Sequence, residues 1–74
     1  MEASVTTYRN LIGRLAVVEW KGLTYGIRVL DIAEEDGEIL LLGRARNDLG
    51  ETVEQWIPAS ELHPRFRERV ERGE

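Results

Sequence analysis

The side chains of this sequence best suited to hold another molecule are two aromatics, Trp20 and Tyr25, separated by Lys21-Gly22-Leu23-Thr24. An aromatic ring offers a broad apolar surface whose face carries negative charge density, so a neighbouring pair can stack on a planar group, grip an apolar side chain or attract a cation. That is binding chemistry. Groups for acid–base or nucleophilic work are sparse. His63, the single histidine, stands between Leu62 and Pro64, where a hydrogen-bonded structural role suits it better than proton transfer. Ser60 precedes Glu61 in what reads as a helical turn and is placed for local backbone bonding. Glu34, Glu35 and Asp36 crowd one turn without the alternating oxygen ligands of a calcium loop, so they read as a solvated turn guarding a sheet edge. With no cysteine there is neither a disulfide nor a thiolate metal site, and one histidine leaves zinc or haem short of ligands. The glycines are scattered and form no phosphate-cradling loop. The expectation is a non-enzyme without metal or cofactor.

The elements that must position Trp20 and Tyr25 are strands. Leu11 to Trp20 is dense in β-branched and apolar residues, and after a short turn a second strand runs from Tyr25 to about Ala33. Asp36-Gly37 supplies the positive φ of a tight hairpin turn, so a third strand follows from Glu38 to Arg46. Asn47-Asp48-Leu49-Gly50 is a loop of turn formers, and the fourth strand is Glu51 to Ile57. Pro58 cannot donate to a ladder and suits the start of a helical turn over Ala59 to Leu62. Residues 1–10 read as a flexible arm that adds a short strand around Val5 to Tyr8. Residues 65–74 read as a polar tail or short helix in which Phe66 and Val70, four apart, share a side.

Strands at short intervals joined by tight turns argue for a small antiparallel barrel rather than βαβ units. If Val18, Ile27 and Val29 are core, side-chain alternation puts Trp20 and Tyr25 on that same inner side, at the barrel mouth beside the hairpin turn. The apolar run Ile39 to Leu42 does not alternate, so its strand is expected to be covered on both faces. Trp56 has the opposite parity to Ile57. Trp56, Leu40 and Leu42 are therefore expected to form an outer patch lying under Phe66 and Val70, or under a second copy of the chain. Gly43, inside a strand, marks a bend or bulge.

Seventy-four residues make one domain, which buries only about 60% of the surface its unfolded chain exposes. Absent cysteines and export signals point to the cytoplasm, and no stretch approaches the length of a membrane span. The net charge of −4 disfavours a duplex-binding protein, since phosphate contacts need clustered cations. Charge is unevenly placed, however. Asp31 to Glu38 holds five carboxylates and no base, while Arg44, Arg46 and the tail arginines 65, 67, 69 and 72 carry most of the positive charge. Nucleic-acid binding by those arginines is the alternative reading, although glutamates interleave with them in the tail as on a solvated helix.

Val18-Glu19-Trp20, a short turn, Tyr25-Gly26-Ile27-Arg28-Val29 and the closing Ile57-Pro58-Ala59-Ser60-Glu61-Leu62 resemble the SH3-like barrels of the Tudor and chromo-barrel kind. The likeness spans about Leu15 to Pro64. It implies an all-β fold: a five-stranded SH3-like barrel over residues 11–64 followed by a short C-terminal helix. In Tudor domains an aromatic box at the mouth holds a methylated cation, and Trp20 and Tyr25 match two of its walls. The remaining walls come from the end of strand three and the next loop, where this chain has Leu42, Arg44, Arg46 and Asn47; an arginine there would repel a cationic guest. The stretch Val53 to Leu62 is also similar to a segment of the plasmid-encoded dihydrofolate reductases. Of their Gln-Ile-Tyr active sequence only Gln55 is matched, and Glu19 stands where they need a lysine.

These readings converge on an interaction module that binds a protein or peptide through a mouth formed by Trp20, Lys21, Tyr25, Arg46 and Asn47. The alternatives are nucleic-acid binding, or self-association through the patch of Leu40, Leu42 and Trp56 with Phe66 and Val70.

Overall fold

In the computed structural model, which describes residues 5 to 73, two tight turns set the sheet. Lys21 and Gly22 both lie at positive φ, 53° and 80°, as do Asp36 and Gly37 at 52° and 80°. Two successive residues in that region make the hairpin turn whose twist matches the flanking strands. The first joins β1 (Leu15–Trp20) to β2 (Leu23–Glu35), pairing Trp20 with Leu23 and Leu15 with Arg28. The second joins β2 to β3 (Glu38–Arg46) and pairs Glu35 with Glu38. Beyond the Asn47 loop, β4 (Thr52–Pro58) returns along β3 to complete a four-stranded antiparallel sheet in the order β1-β2-β3-β4. The β2–β3 register shifts between Val29 and Asp31, leaving Leu30 as the extra residue of a bulge. Such a bulge lets a long strand bend over the core.

The fold is mostly β with a short C-terminal helix, and it has four strands where five were expected. What would be the fifth is a single bridge, Leu62 to Val18, supported by the His63 N–H donating to the Val17 carbonyl at 2.9 Å. The reason is local. Pro58 leads into a 3-10 turn at Ala59–Glu61 and Pro64 begins helix α2 (Pro64–Glu71), so only Leu62 and His63 stay extended between them.

The N-terminal segment also differs from its reading. Val5–Tyr8 forms a short helix, α1, rather than a strand, and continues as a 3-10 turn through Leu11; the first strand therefore starts at Leu15. Residues 1 to 4, also assigned to the arm, and residue 74 lie outside the described residues. Threonine-rich composition argued for an extended arm, but tertiary packing decides otherwise. Tyr8 and Leu11 are buried in one core with Val18, Val29, Leu41, Ile57, Leu62 and Val70. The Tyr8 hydroxyl donates to the Glu71 carboxylate at 3.2 Å and so ties α1 to α2.

Burial, then the nearby charge of Glu71 and that hydrogen bond, push the Tyr8 phenol above its ordinary value. The fold thus favours the neutral phenol. Its contribution is complete below the ordinary tyrosine value of about 10 and is lost as pH rises through the higher folded value. Tyr8→Phe is expected to cost about 1 kcal/mol at neutral pH, read from urea midpoints, and to flatten the alkaline decline. An unchanged decline would show that another group causes it.

Candidate functional site

At the end of the sheet that carries the Lys21-Gly22 turn and the Asn47 loop, inward-facing side chains of all four strands stop short of filling the space. The result is an open pocket of about 230 Å³. Tyr25 pairs directly with Val18, which is fully buried, and Trp20 lies two residues further along β1 on the same face. Trp20 is half-buried against the core and Tyr25 is 39% exposed, so the pair presents ring surface to solvent while resting on Val18 and Ile27. Across from them stand Val53, Gln55 and Ile57 of β4, and the floor between is Gly43 and Ala45 of β3.

Gly43 makes that floor low. A Cβ there would lie 2.6 Å from Ile27 Cδ1 and 3.4 Å from its Cβ, so Ile27 occupies the space a side chain would need. Gly43 also faces Val29 at the last pair before the register shift, so the bulge lies not at this glycine, as expected, but on the opposing strand at Leu30. Gly43→Ala is expected to drive the Ile27 tip into the pocket, at a cost of about 1 to 3 kcal/mol in urea-monitored stability. The pocket shrinks accordingly. A variant with wild-type stability and wild-type ligand binding would show that the close approach is unimportant.

The rim is set by Asn47. Its Oδ1 accepts from the Leu49 and Glu51 amides, both at 2.9 Å, its own N–H donates to the Glu51 carbonyl at 2.9 Å, and its carbonyl accepts from Gly50 at 3.0 Å. Nδ2 donates to the Glu51 carboxylate at 3.3 Å. An asparagine spent in this way shapes the loop, and its neighbours Arg46 and Asp48 carry the rim's charge. Of the residues expected at the mouth, the structure brings Trp20, Tyr25, Arg46 and Asn47 to one pocket. Lys21 stands outside the lining with its ammonium 6.0 Å from the centroid of the Trp20 ring, at the outer reach of a cation–π contact.

Gln55 and Val53 were missed as wall residues. Their signal was available: both share parity with Ile57, a core residue, so they belong to the inner face.

The outer patch is arranged differently from its expectation. Trp56 pairs with Leu42 and Pro58 with Leu40, and Trp56 is 42% exposed, with the Arg44–Glu54 ion pair of 2.7 Å alongside. Phe66 and Val70 do not roof it. Val70 is buried in the core cluster, and Phe66 lines a separate groove with Val17, Thr24, His63, Arg65 and Arg69. The cause is again Pro64, which starts α2 directly after the bridge to β1 and so sends the helix toward α1. His63 caps that helix, its Nδ1 accepting from the Arg65 amide at 3.3 Å, while its Nε2 lies 3.8 Å from a Glu19 oxygen.

Among the described residues, no group of three or more His, Cys, Asp or Glu is placed to hold a metal ion. No described helix is long and apolar enough to cross a membrane. Comparison with family models, curated proteins and solved structures returns no match for this chain.

Proposed function

We propose that this chain is a non-enzymatic interaction module, a small SH3-like barrel of Tudor-like kind that takes a short segment of a partner protein in its mouth. The observation that carries the reading is the pocket in which Trp20, Tyr25, Val53 and Ile57 offer apolar surface around two uncharged polar side chains, Gln55 and the loop-bound Asn47. Few placed polar groups within an apolar lining is the composition of a recognition site. The bridge from Leu62 to Val18 supports the barrel reading, because it brings the chain after β4 back to the first strand. Arg46 and Asp48 of the lining offset each other, and the Lys21 ammonium beside the Trp20 ring adds a positive charge, which favours a neutral or acidic guest over a methylated cation. The reading is tested by selecting random linear peptides on the wild-type chain and re-testing them on two variants. Binders should be lost on Trp20→Ala and kept on Trp56→Ala; the reverse pattern removes the mouth as the site.

A second reading, self-association, is favoured by the exposure of Trp56 beside Leu42 on a face that the tail leaves open. In that case sedimentation equilibrium should give a dimer for the wild type and a monomer for Trp56→Glu. A wild type that stays monomeric at every concentration rejects it. The nucleic-acid alternative draws less support, since Arg44 of β3 is already engaged by Glu54.

A further inference from the structure

Among the described residues, the outer edge of β4 has no partner strand. β4 ends the strand order and pairs only with β3; among the described residues the one bridge outside the four strands is Val18 to Leu62, and no turn or loop backbone hydrogen bond reaches residues 53 to 57. In an antiparallel pair every second residue turns its N–H and C=O away from the partner, so this edge presents a row of alternating donors and acceptors. Proteins ordinarily guard such an edge with lysine, proline, a bulge or an inward charge. β4 lacks these guards. Its register with β3 runs without a shift, its proline comes only at the last position, and its single charge, Glu54, is held on the outer face by Arg44. Residues 52 to 56 are all exposed.

The same strand supplies Val53, Gln55 and Ile57 to the mouth, so the free edge and the pocket adjoin. We infer that β4 accepts an extended segment of a partner protein as an added strand, its alternate side chains entering the mouth over Trp20 and Tyr25. This inference rests on the mouth being the binding site. The backbone row selects an extended guest, because only a strand matches its donor–acceptor spacing. Charge favours an acidic one: Arg46 and Asp48 balance within the lining, and Lys21, beside the Trp20 ring and without an ion pair among the described residues, leaves the rim one positive charge in excess.

A second copy of β4 fits less well. Two-fold pairing with inner faces matched must centre on a residue. Centred on Glu54, it opposes two carboxylates. Centred on Gln55, it sets Glu54 against the copy's tryptophan.

The test uses one peptide from the selection above, synthesised as a series with single backbone N-methyl groups and titrated calorimetrically against the wild-type chain and against Trp20→Ala. N-methylation at every second residue should weaken binding about tenfold, and at the intervening residues leave it unchanged. Converting the peptide's acidic residue to its amide should weaken binding to this protein but not to the same protein carrying Lys21→Gln and Arg46→Gln. If N-methylation is harmless everywhere while Trp20→Ala still abolishes binding, strand addition is wrong and the mouth reading stands. If the alternating pattern persists in Trp20→Ala at full affinity, the mouth reading is wrong. A peptide-free dimer with β4 amides protected from exchange would overturn the inference in favour of self-pairing.

Discussion

Leu41→Ala should lower the unfolding free energy by about 2 to 5 kcal/mol. Leu41 is fully buried, paired with Ile32 of β2 on one side and Ile57 of β4 on the other, so its side chain joins three strands through one set of contacts. Neighbours fixed by ladders on both sides cannot easily collapse into the space left behind, which places the cost in the upper part of that range. A domain of this length holds roughly 4 to 11 kcal/mol in total, at about 0.05 to 0.15 kcal/mol per residue. The variant should therefore lose a large share of its urea midpoint with little change in slope. Leu49→Ala is the control, since Leu49 is 83% exposed in the loop and should leave the midpoint where it was. A loss at Leu41 no larger than at Leu49 would mean that the sheet is not packed around this residue.

Trp20→Ala carries the second large effect, on binding. A half-desolvated tryptophan against apolar walls is the kind of side chain that dominates small interfaces, and its truncation should weaken a mouth-bound peptide by about 2 kcal/mol or more, roughly thirtyfold. Because Trp20 also packs against the core, some stability is lost with it, and the measurement needs the folded fraction from far-ultraviolet circular dichroism beside the titration. Tyr25→Phe keeps the second ring while removing the hydroxyl, and it should bind as the wild type does. Equal binding by Trp20→Ala and wild type would place the partner elsewhere.

Much of the sheet could be read from the chain because its signals are local. Asp36-Gly37 and Lys21-Gly22 are turn formers whose positive φ fixes two hairpins, and side-chain alternation from Val18, Ile27 and Val29 correctly put Trp20 and Tyr25 on the inner face. The third strand, bounded by Gly37 and Asn47, falls at Glu38–Arg46 as expected. What escaped reading depends on contacts far apart in sequence. Val5–Tyr8 is helical because Tyr8 docks against a helix sixty-three residues away, which no window of threonines could indicate. The fifth strand shrinks to one bridge because two prolines leave only Leu62 and His63 extended, and the same Pro64 carries Phe66 and Val70 away from Trp56. Gln55 was legible by parity alone. The commitment of Asn47 to its own loop was not, since the same asparagine could equally have faced a guest.

The most direct test is an amide chemical-shift map of the chain titrated with a selected peptide. The account predicts shifts concentrated at Val18, Trp20, Tyr25, Ile27, Gly43, Ala45 and residues 53 to 57. Shifts confined to Leu40, Leu42 and Trp56 on the outer face, or to the groove along Phe66, would contradict it.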